Sequence, residues 1–504
     1  MGIMGPVLYV MYAVGTAPGA DIPLTTFVGL AIVLMIGFVY WMFSTSMPRT
    51  GGDYIWVSRV LHPFVGFLES SMLLFVMITS FVSYDIYLAV TNGLSYTFIN
   101  FGYLGNDQGL INLGIQLASD KPTILLVSIL LSLLVIAVML LPIKRVVNVL
   151  VGTFFVTVAI YVVYIGMLLA TGSGGFIANF NARSGTTVDA VIAAAGGAPA
   201  YTLEGTLFIG LVFVMLSYIG LVNSSYFAGE VSGNPFKAQG LAIFGSPLIY
   251  AVFLFILYFS QFTVYGHGFL AASVPPYYSG DPSFYGFNMA GGWGQPSGVF
   301  LVNFLTTNPW LSSLVAFGIA LQFVMWAMAF YLAPTRYIFS WSFDRILPLG
   351  LSKTSKKGVP YYAVLLYGVI TIIFVVLAVY TSILSFYAYA IFGFYFSTTI
   401  VLIAGALFPF RRKEIFEGSH RYVKARVAGI PVITIVGIVG AIFTAITMVV
   451  TVLPAYTGFP IRLDYFAPFV IMLLFSTFVY FGAYFYQKSH GLPMELVGKQ
   501  IPPL

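Results

Sequence analysis

From Leu207 to Ala228 the chain runs through an uncharged stretch, LFIGLVFVMLSYIGLVNSSYFA, whose middle carries Ser217, Gly220, Asn223, Ser224 and Ser225. As a helix it would rise about 33 Å, enough to cross the hydrocarbon of a bilayer. Small and polar groups at that depth support two chemistries. Ser217, Gly220 or Leu221, Ser224 and Ala228 share one helical face and would let a neighbouring helix approach closely. Alternatively the helix unwinds near Gly220, and its freed amides and carbonyls hold a small dipolar solute. Backbone can be freed at mid-membrane only against protein or a watery cavity.

Other groups able to do chemistry are few. Glu69 and Asp85 lie in another apolar stretch, about 9 Å and 33 Å from Pro63 along a helix. A charge among lipids is costly, so each should face a cavity or partner, or carry a proton. For Asp85 a structural hydrogen bond and the sensing of external protons both stand. Gln322 and Trp326, four apart, share a helix face directed at a neighbouring helix or at a bound solute. Tyr387 and Tyr389 are gate candidates. Glu230, Arg49, Arg336 and Asp344 fall at span ends, where ion pairs could close one face, although exposed pairs are weak. His62, His267, His420 and His490 fall in loops or at span ends, and no H-E-x-x-H occurs. Nothing has the spacing of a metal or catalytic centre, so an enzyme is not expected. Without Cys there is no thiolate or disulfide chemistry.

The elements that must position these groups follow from composition. Over 504 residues, 60% are hydrophobic and 7% charged, which excludes a water-soluble domain and implies an all-α polytopic membrane protein in a lipid bilayer. Apolar spans are expected at 23–46, 64–99, 122–142, 146–171, 205–229, 238–266, 311–342, 361–380, 383–409, 431–453 and 465–487, within one domain over 1–487 and before a short tail at 488–504. They are preceded by MGIMGPVLYVMYAV, too short to cross, which reads as half a membrane helix. The expectation is a reading frame extending about 15–30 residues upstream. Only Lys121, Arg183 and Arg462 fall in one set of loops; the other eighteen of the 21 Lys and Arg lie in the opposite set, Lys499 of the tail among them. By the positive-inside rule that set, with the C-terminus, is cytoplasmic. The basic balance is thus an insertion signal and needs no nucleic-acid partner. Connections 172–204 and 267–310 would lie outside, the second carrying SVPPYYSGDPSFYGFN as an irregular lid or a plain loop.

Three blocks then point to a family: MPRTGGDYIWVSRVLHPFVGF (47–67), AGEVSGNPFKAQ (228–239) and PTRYIFSWSFDRILPLGLSKTSKKGVP (334–360). In the first, the Gly-Gly pair permits a tight reversal and YIWVSRVL reads as an interfacial helix. Their order and spacing resemble the amino acid–polyamine–organocation superfamily of amino acid permeases, and FPFRRKEIFEGS (408–419) looks like its archaeal and bacterial branch. The resemblance implies an inverted five-plus-five helix repeat (LeuT-type) plus two C-terminal helices, with the first and sixth helices interrupted at mid-membrane. It implies an amino acid substrate held by backbone: its carboxylate at Gly2, Ile3, Met4 and Gly5, its amino group at Ser217, Tyr218, Ile219 and Gly220, with Asn223, Gln322 and Trp326 as further candidates. Glu69, Asp85, Glu230, Arg49, Arg336 and Asp344 are the coupling and gating candidates.

Departures from the family matter as well. Many relatives carry Glu two residues after the sixth-helix glycine, where this chain has Val222. Several proton-dependent relatives have Lys in the fifth helix, and 146–171 has none. No cofactor is implied, the driving ion stays open between proton and sodium, and nothing fixes an oligomeric state. A polyamine or other organocation carrier and an amino acid exchanger are alternatives. A channel or receptor has the same hydropathy but would not show saturable uptake and counterflow.

Overall fold

The computed structural model describes residues 2–231, 233–381, 387–451 and 463–492, without the side chains of 216, 387–391 and 463–466. Eleven helices among them are long and apolar enough to cross a membrane. After a short first helix, α1 (Pro6–Thr16), come α2 (Ile22–Ser46), α3 (Pro63–Gly105), α4 (Lys121–Met139), α5 (Ile143–Arg183), α6 (Leu203–Tyr226), α7 (Pro235–Tyr265) and α8 (Pro309–Phe343). Then follow α9 (Tyr361–Tyr380), α10 (Tyr387–Arg411), α11 (Val432–Val450) and α12 (Leu463–Ser489). The eleven spans expected from hydropathy correspond to α2–α12 in order. The tail from 493 onward, Arg462, Lys499 and the side chains of Tyr387 and Tyr389 lie outside the described residues.

Local sequence explains where the helices start. Asp21, Asp120 and Asn308 accept the Leu24, Thr123 and Trp310 amides at 3.1, 3.0 and 2.9 Å. Each is followed within two residues by proline, whose missing N–H costs nothing in a first turn. Packing then sorts the helices. α3 and α8 are the most buried of the spans. In contrast, α4 exposes Leu126, Leu130, Leu133 and Leu134, and α12 exposes Leu474, Phe475 and Phe478. Such apolar outer faces suit lipid.

Three features depart from expectation. α5 does not stop near residue 171: it continues to Arg183 across a break at Gly172 (φ 60°, ψ 178°). The stretch SVPPYYS is not an irregular lid but part of a helix, His267–Ser279, with Pro275 and Pro276 inside it. That helix buries Phe269, Leu270, Ala271 and Val274, an apolar gain that outweighs the bonds the prolines remove. The all-α expectation also misses a small hairpin, β1 (Arg426–Val427) with β2 (Ile430–Pro431). Its turn residues Ala428 and Gly429 both have positive φ, at 48° and 80°, as a tight two-residue hairpin requires.

The three sequence blocks converge at one end of the bundle, which carries Arg59, Arg336 and Arg412 and is termed the basic end below. Gly51 and Gly52 have φ of 105° and 49°, so the chain after α2 reverses sharply into a helix at Gly52–Val60. A Cβ on Gly51 would lie 2.3 Å from the Ser340 hydroxyl of α8. The Gly51 amide donates to the Tyr226 carbonyl at the end of α6, at 3.0 Å.

Candidate functional site

Two chain interruptions lie against Trp326 of α8 and are bridged by Tyr250, which bonds the Gly2 carbonyl and packs on the Tyr218 ring. On one side, residues 2–5 are non-helical and α1 begins at Pro6, with Gly5 as its N-cap. On the other, the α-helical part of α6 ends at Ser217, and a 3-10 stretch runs from Ile219 to Tyr226. The bonds Tyr218 N–H to Met215 C=O (2.9 Å) and Leu221 N–H to Tyr218 C=O (3.0 Å) skip three residues rather than four. An end of α-helix leaves carbonyls without intrahelical partners, and a start leaves amides. With 3-10 winding beyond Ser217, the shared face of Ser217, Leu221, Ser224 and Ala228 expected for a regular helix does not form. Instead Ser217, Ile219, Gly220 and Asn223 line a cavity of ≈ 30 Å³ with Tyr9, Phe81, Trp326 and Phe330.

α8 closes this cavity from above the glycines. Trp326 stacks on Tyr9 with ring centroids 5.9 Å apart. Gly2 and Gly5 are the residues that let it come so near: a Cβ on Gly5 would meet the Trp326 ring at 2.2 Å, and one on Gly2 would meet Gln322 Nε2 at 1.7 Å. The Met4 amide points at Gln322 Oε1 over a long 3.5 Å, whereas the buried Gln322 Nε2 has no partner. Asn223 Oδ1 is likewise buried and unpartnered. Tyr250 donates to the Gly2 carbonyl at 3.0 Å and Tyr218 to the Thr26 carbonyl at 3.1 Å. The structure thus gathers Gly2, Ile3, Met4, Gly5, Gln322, Trp326, Ser217, Tyr218, Ile219, Gly220 and Asn223 in one region. Trp326 packs on Tyr9 and also borders the cavity, whereas Gln322 packs against Gly2 and Met4 and is not among the residues lining it.

One further cavity adjoins this one, and another, sharing no lining residue with it, lies at the basic end. Toward the end away from the basic one, ≈ 120 Å³ is lined by Tyr12, Tyr84, Leu88 and Tyr258, sharing Tyr9, Phe213 and Ser217 with the centre. At the basic end, ≈ 300 Å³ is lined by Thr50, Glu230, Arg336 and Lys357. Two π-helical segments, Met77–Val82 in α3 and Gly210–Val214 in α6, bring Phe81 and Phe213 to these walls. Such widened turns recur at functional sites.

The charged candidates separate. Glu230 and Arg336 form a half-exposed pair at 3.3 Å. Asp344 pairs with neither Arg49 nor Arg336: both its oxygens bind Arg59, at 2.7 and 3.0 Å, and Tyr54 adds a bond at 2.6 Å. Arg59 and Asp344 are both buried; burial, the largest single influence, pulls the Arg59 guanidinium down, but the charge and hydrogen bonds of Asp344 and Tyr54 together hold it above its ordinary range. The Arg49 guanidinium donates to the neighbouring Pro48 carbonyl at 3.1 Å. Glu69 and Asp85 are fully buried; both Glu69 oxygens and Asp85 Oδ2 are unpartnered.

Sequence reading missed the most connected group at the basic end. Asp53, fully buried, accepts from Tyr40 (2.8 Å), Tyr337 (2.5 Å), Tyr226 (3.4 Å) and its neighbour's amide, Tyr54 N–H (2.9 Å). It therefore ties α2, α6 and α8 to the Gly52–Val60 helix. Burial pushes its carboxyl up to about 6, with the tyrosine and backbone bonds pulling the other way. The only signal in the sequence was an acid inside PRTGGDY.

Comparison with known proteins places this arrangement. A family model described as amino acid permease matches residues 1–482, a range that holds both interruptions, the cavity and the Asp53 cluster. No curated protein matches. The chain belongs to the amino acid permease family, within the amino acid–polyamine–organocation superfamily: it is a multi-span membrane transporter and not an enzyme.

Proposed function

We propose that this chain is a secondary active carrier that moves amino acids across the cytoplasmic membrane by alternating access. The substrate zwitterion sits between the two interruptions. The amides around Gly2–Gly5 lie at the positive end of α1 and receive the carboxylate. The carbonyls ending the α-helical part of α6, near Ser217 and Tyr218, receive the ammonium group. The one observation that supports this most is that Gly2 and Gly5 of the first interruption pack on the same Trp326 that borders the cavity lined by the second. At ≈ 30 Å³ it has room for about one water, so the described conformation is shut around its centre. Alternation then requires Trp326 and the Asp53 cluster to part in turn. In this reading the family's inverted five-plus-five repeat relates α1–α5 to α6–α10, the basic end faces the cytoplasm, and Glu230–Arg336 lies beside the inner exit.

An aromatic lining of Tyr9, Phe81, Phe213, Trp326 and Phe330 also suits an organic cation, so a polyamine belongs in the assay. Purified protein in proteoliposomes should show saturable uptake and counterflow of labelled amino acids, and little of putrescine. Flux that does not saturate, or binding without flux, would sink the carrier reading.

A further inference from the structure

The buried acids at the basic end are not used by a backbone-built substrate site. Asp53 and Glu69 are both fully buried and are joined by one stack of α8: Tyr337, which donates to Asp53, stacks on Trp341, which donates to the Ser70 hydroxyl beside Glu69. Asp53 takes four hydrogen bonds, all from neutral donors. Glu69 takes none on either oxygen, although its backbone carbonyl receives the Ser397 hydroxyl at 2.9 Å. Among the described residues neither acid has an ion-pair partner. Two buried carboxylates with no cation partner cannot both stay ionised in a dry site. The pair therefore holds a proton, and Glu69, with no donor facing it, is where the proton rests.

The surroundings make that proton conditional on conformation. From α2 the pair is faced by Tyr40, from α6 by Tyr226 and from α8 by Tyr337. From the Gly52–Val60 helix come Tyr54 and Arg59, the latter neutralised by Asp344 at the end of α8. The Arg412 guanidinium at the end of α10 donates to the Arg59 carbonyl, and Tyr480 of α12 packs on Phe67, next to Glu69's turn. Among the described residues none of these cations forms an ion pair with either acid. Parting α6 and α8 from the Gly52–Val60 helix would remove Tyr226 and Tyr337 and admit water to both carboxyls.

We propose that Asp53 and Glu69 form a proton-binding site in the inner gate, loaded while the gate is shut and emptied to cytoplasmic water as it opens, so that amino acid entry is coupled to proton entry. The step is a simple transfer: the Glu69 O–H bond breaks, its proton passes to water, and the carboxylate left behind is hydrated. The elevated Asp53 carboxyl has the same sense, since a closed, dry pair binds the proton more tightly than a wet one. This coupling rests on the carrier reading, but it can fail separately.

The test uses proteoliposomes, a mixture of the twenty common amino acids as radiolabelled probe, and a lumenal pH dye. With one pH unit across the membrane, acid outside, the unaltered chain should accumulate label about tenfold for one proton per solute and acidify the lumen. Glu69→Gln should lose the accumulation and the acidification while keeping counterflow within about twofold. Accumulation retained by Glu69→Gln, or counterflow without proton movement in the unaltered chain, overturns the proposal. Should Glu69→Gln fail to fold, dicyclohexylcarbodiimide, which attacks protonated carboxyls in apolar surroundings, decides on the unaltered chain. Mass spectrometry should find the adduct on Glu69 at pH 6, and an unmodified Glu69 overturns the proposal. Absence of counterflow altogether would instead refute the amino acid carrier, leaving the carbodiimide result to judge the proton site.

Discussion

Trp326 lies flat against Tyr9, 5.9 Å between ring centroids and 11° from parallel, so α8 is keyed into the first turns of α1. The fit depends on Gly5, where a Cβ would come within 2.2 Å of the Trp326 ring. We expect Gly5→Ala to lower uptake by about five- to 150-fold, as a steric conflict of about 1–3 kcal/mol implies. In a Trp326→Leu background the same substitution should cost less than about twofold, because the ring it strikes is gone. Uptake rates of the four proteins complete the cycle, and additive losses would show that Gly5 acts through something other than Trp326.

Gln322 offers a second measurement. Its Nε2 is buried without a partner beside Gly2, on the side where the proposed carboxylate sits. A hydrogen bond to a charged group contributes about 1.5–3 kcal/mol, so Gln322→Leu should raise KM by about ten- to a hundredfold. Gln322→Glu should do worse than Leu, since it sets one carboxylate against another. Equal losses for the two would mean that Gln322 only packs.

Much of this was legible in the sequence. Span positions follow from hydropathy alone; the small and polar residues around Gly220 left a packing face and an unwound helix both open, and the family resemblance placed the two interruptions. Three things were not legible. The Arg59–Asp344 pair joins residues 285 apart, and span-end charges offered Arg336 and Arg49 as equally good partners. Asp53 looked like a loop acid, because its three tyrosine donors come from three other helices. Helix within 172–183 and 267–279 was hidden by Gly and Pro, which mark loops locally but yield to tertiary packing.

Asp53 should leave a pH signature on stability. Its carboxyl is raised from 3.8 to about 6 in the folded chain, so between those values the folded state binds more proton than the unfolded one. Stability from this group is therefore fully present below about pH 4 and is lost as pH rises through 6. Between pH 5 and pH 8 the loss is on the order of 1 kcal/mol. Thermal unfolding in detergent should show the Tm of the unaltered chain falling more steeply over that range than that of Asp53→Asn. Parallel curves would place the Asp53 carboxyl in its ordinary range.

Asp85 sits far from this cluster in α3, fully buried with Oδ2 unpartnered. If it receives protons from outside, Asp85→Asn should flatten the dependence of uptake on external pH while sparing counterflow. A variant that keeps the unaltered profile would assign Asp85 to structure alone.

The two ion pairs at the basic end should differ sharply in consequence. Glu230–Arg336 is half-exposed, with side-chain exposures of 30% and 8%. A solvent-screened pair of that kind contributes about 0–1 kcal/mol. Glu230→Gln should therefore shift inward opening by no more than about fivefold, read as the labelling rate of a cysteine introduced at Thr50 in the inner cavity. Arg59–Asp344 is different: 2% and 9% exposed, bound through both carboxylate oxygens and capped by Tyr54. Removing one partner strands a buried charge at a cost of about 3–5 kcal/mol. Asp344→Asn should thus destabilise the folded chain outright, seen as a fall in Tm and in monodisperse yield. Replacing both partners, as Arg59→Met with Asp344→Leu, should restore much of that stability, because no charge is then left unpaired. The double variant would still open inward more readily than the unaltered chain if the pair also latches the gate. Were Glu230→Gln the more damaging change, the latch would have to be reassigned to the outer rim of the cavity.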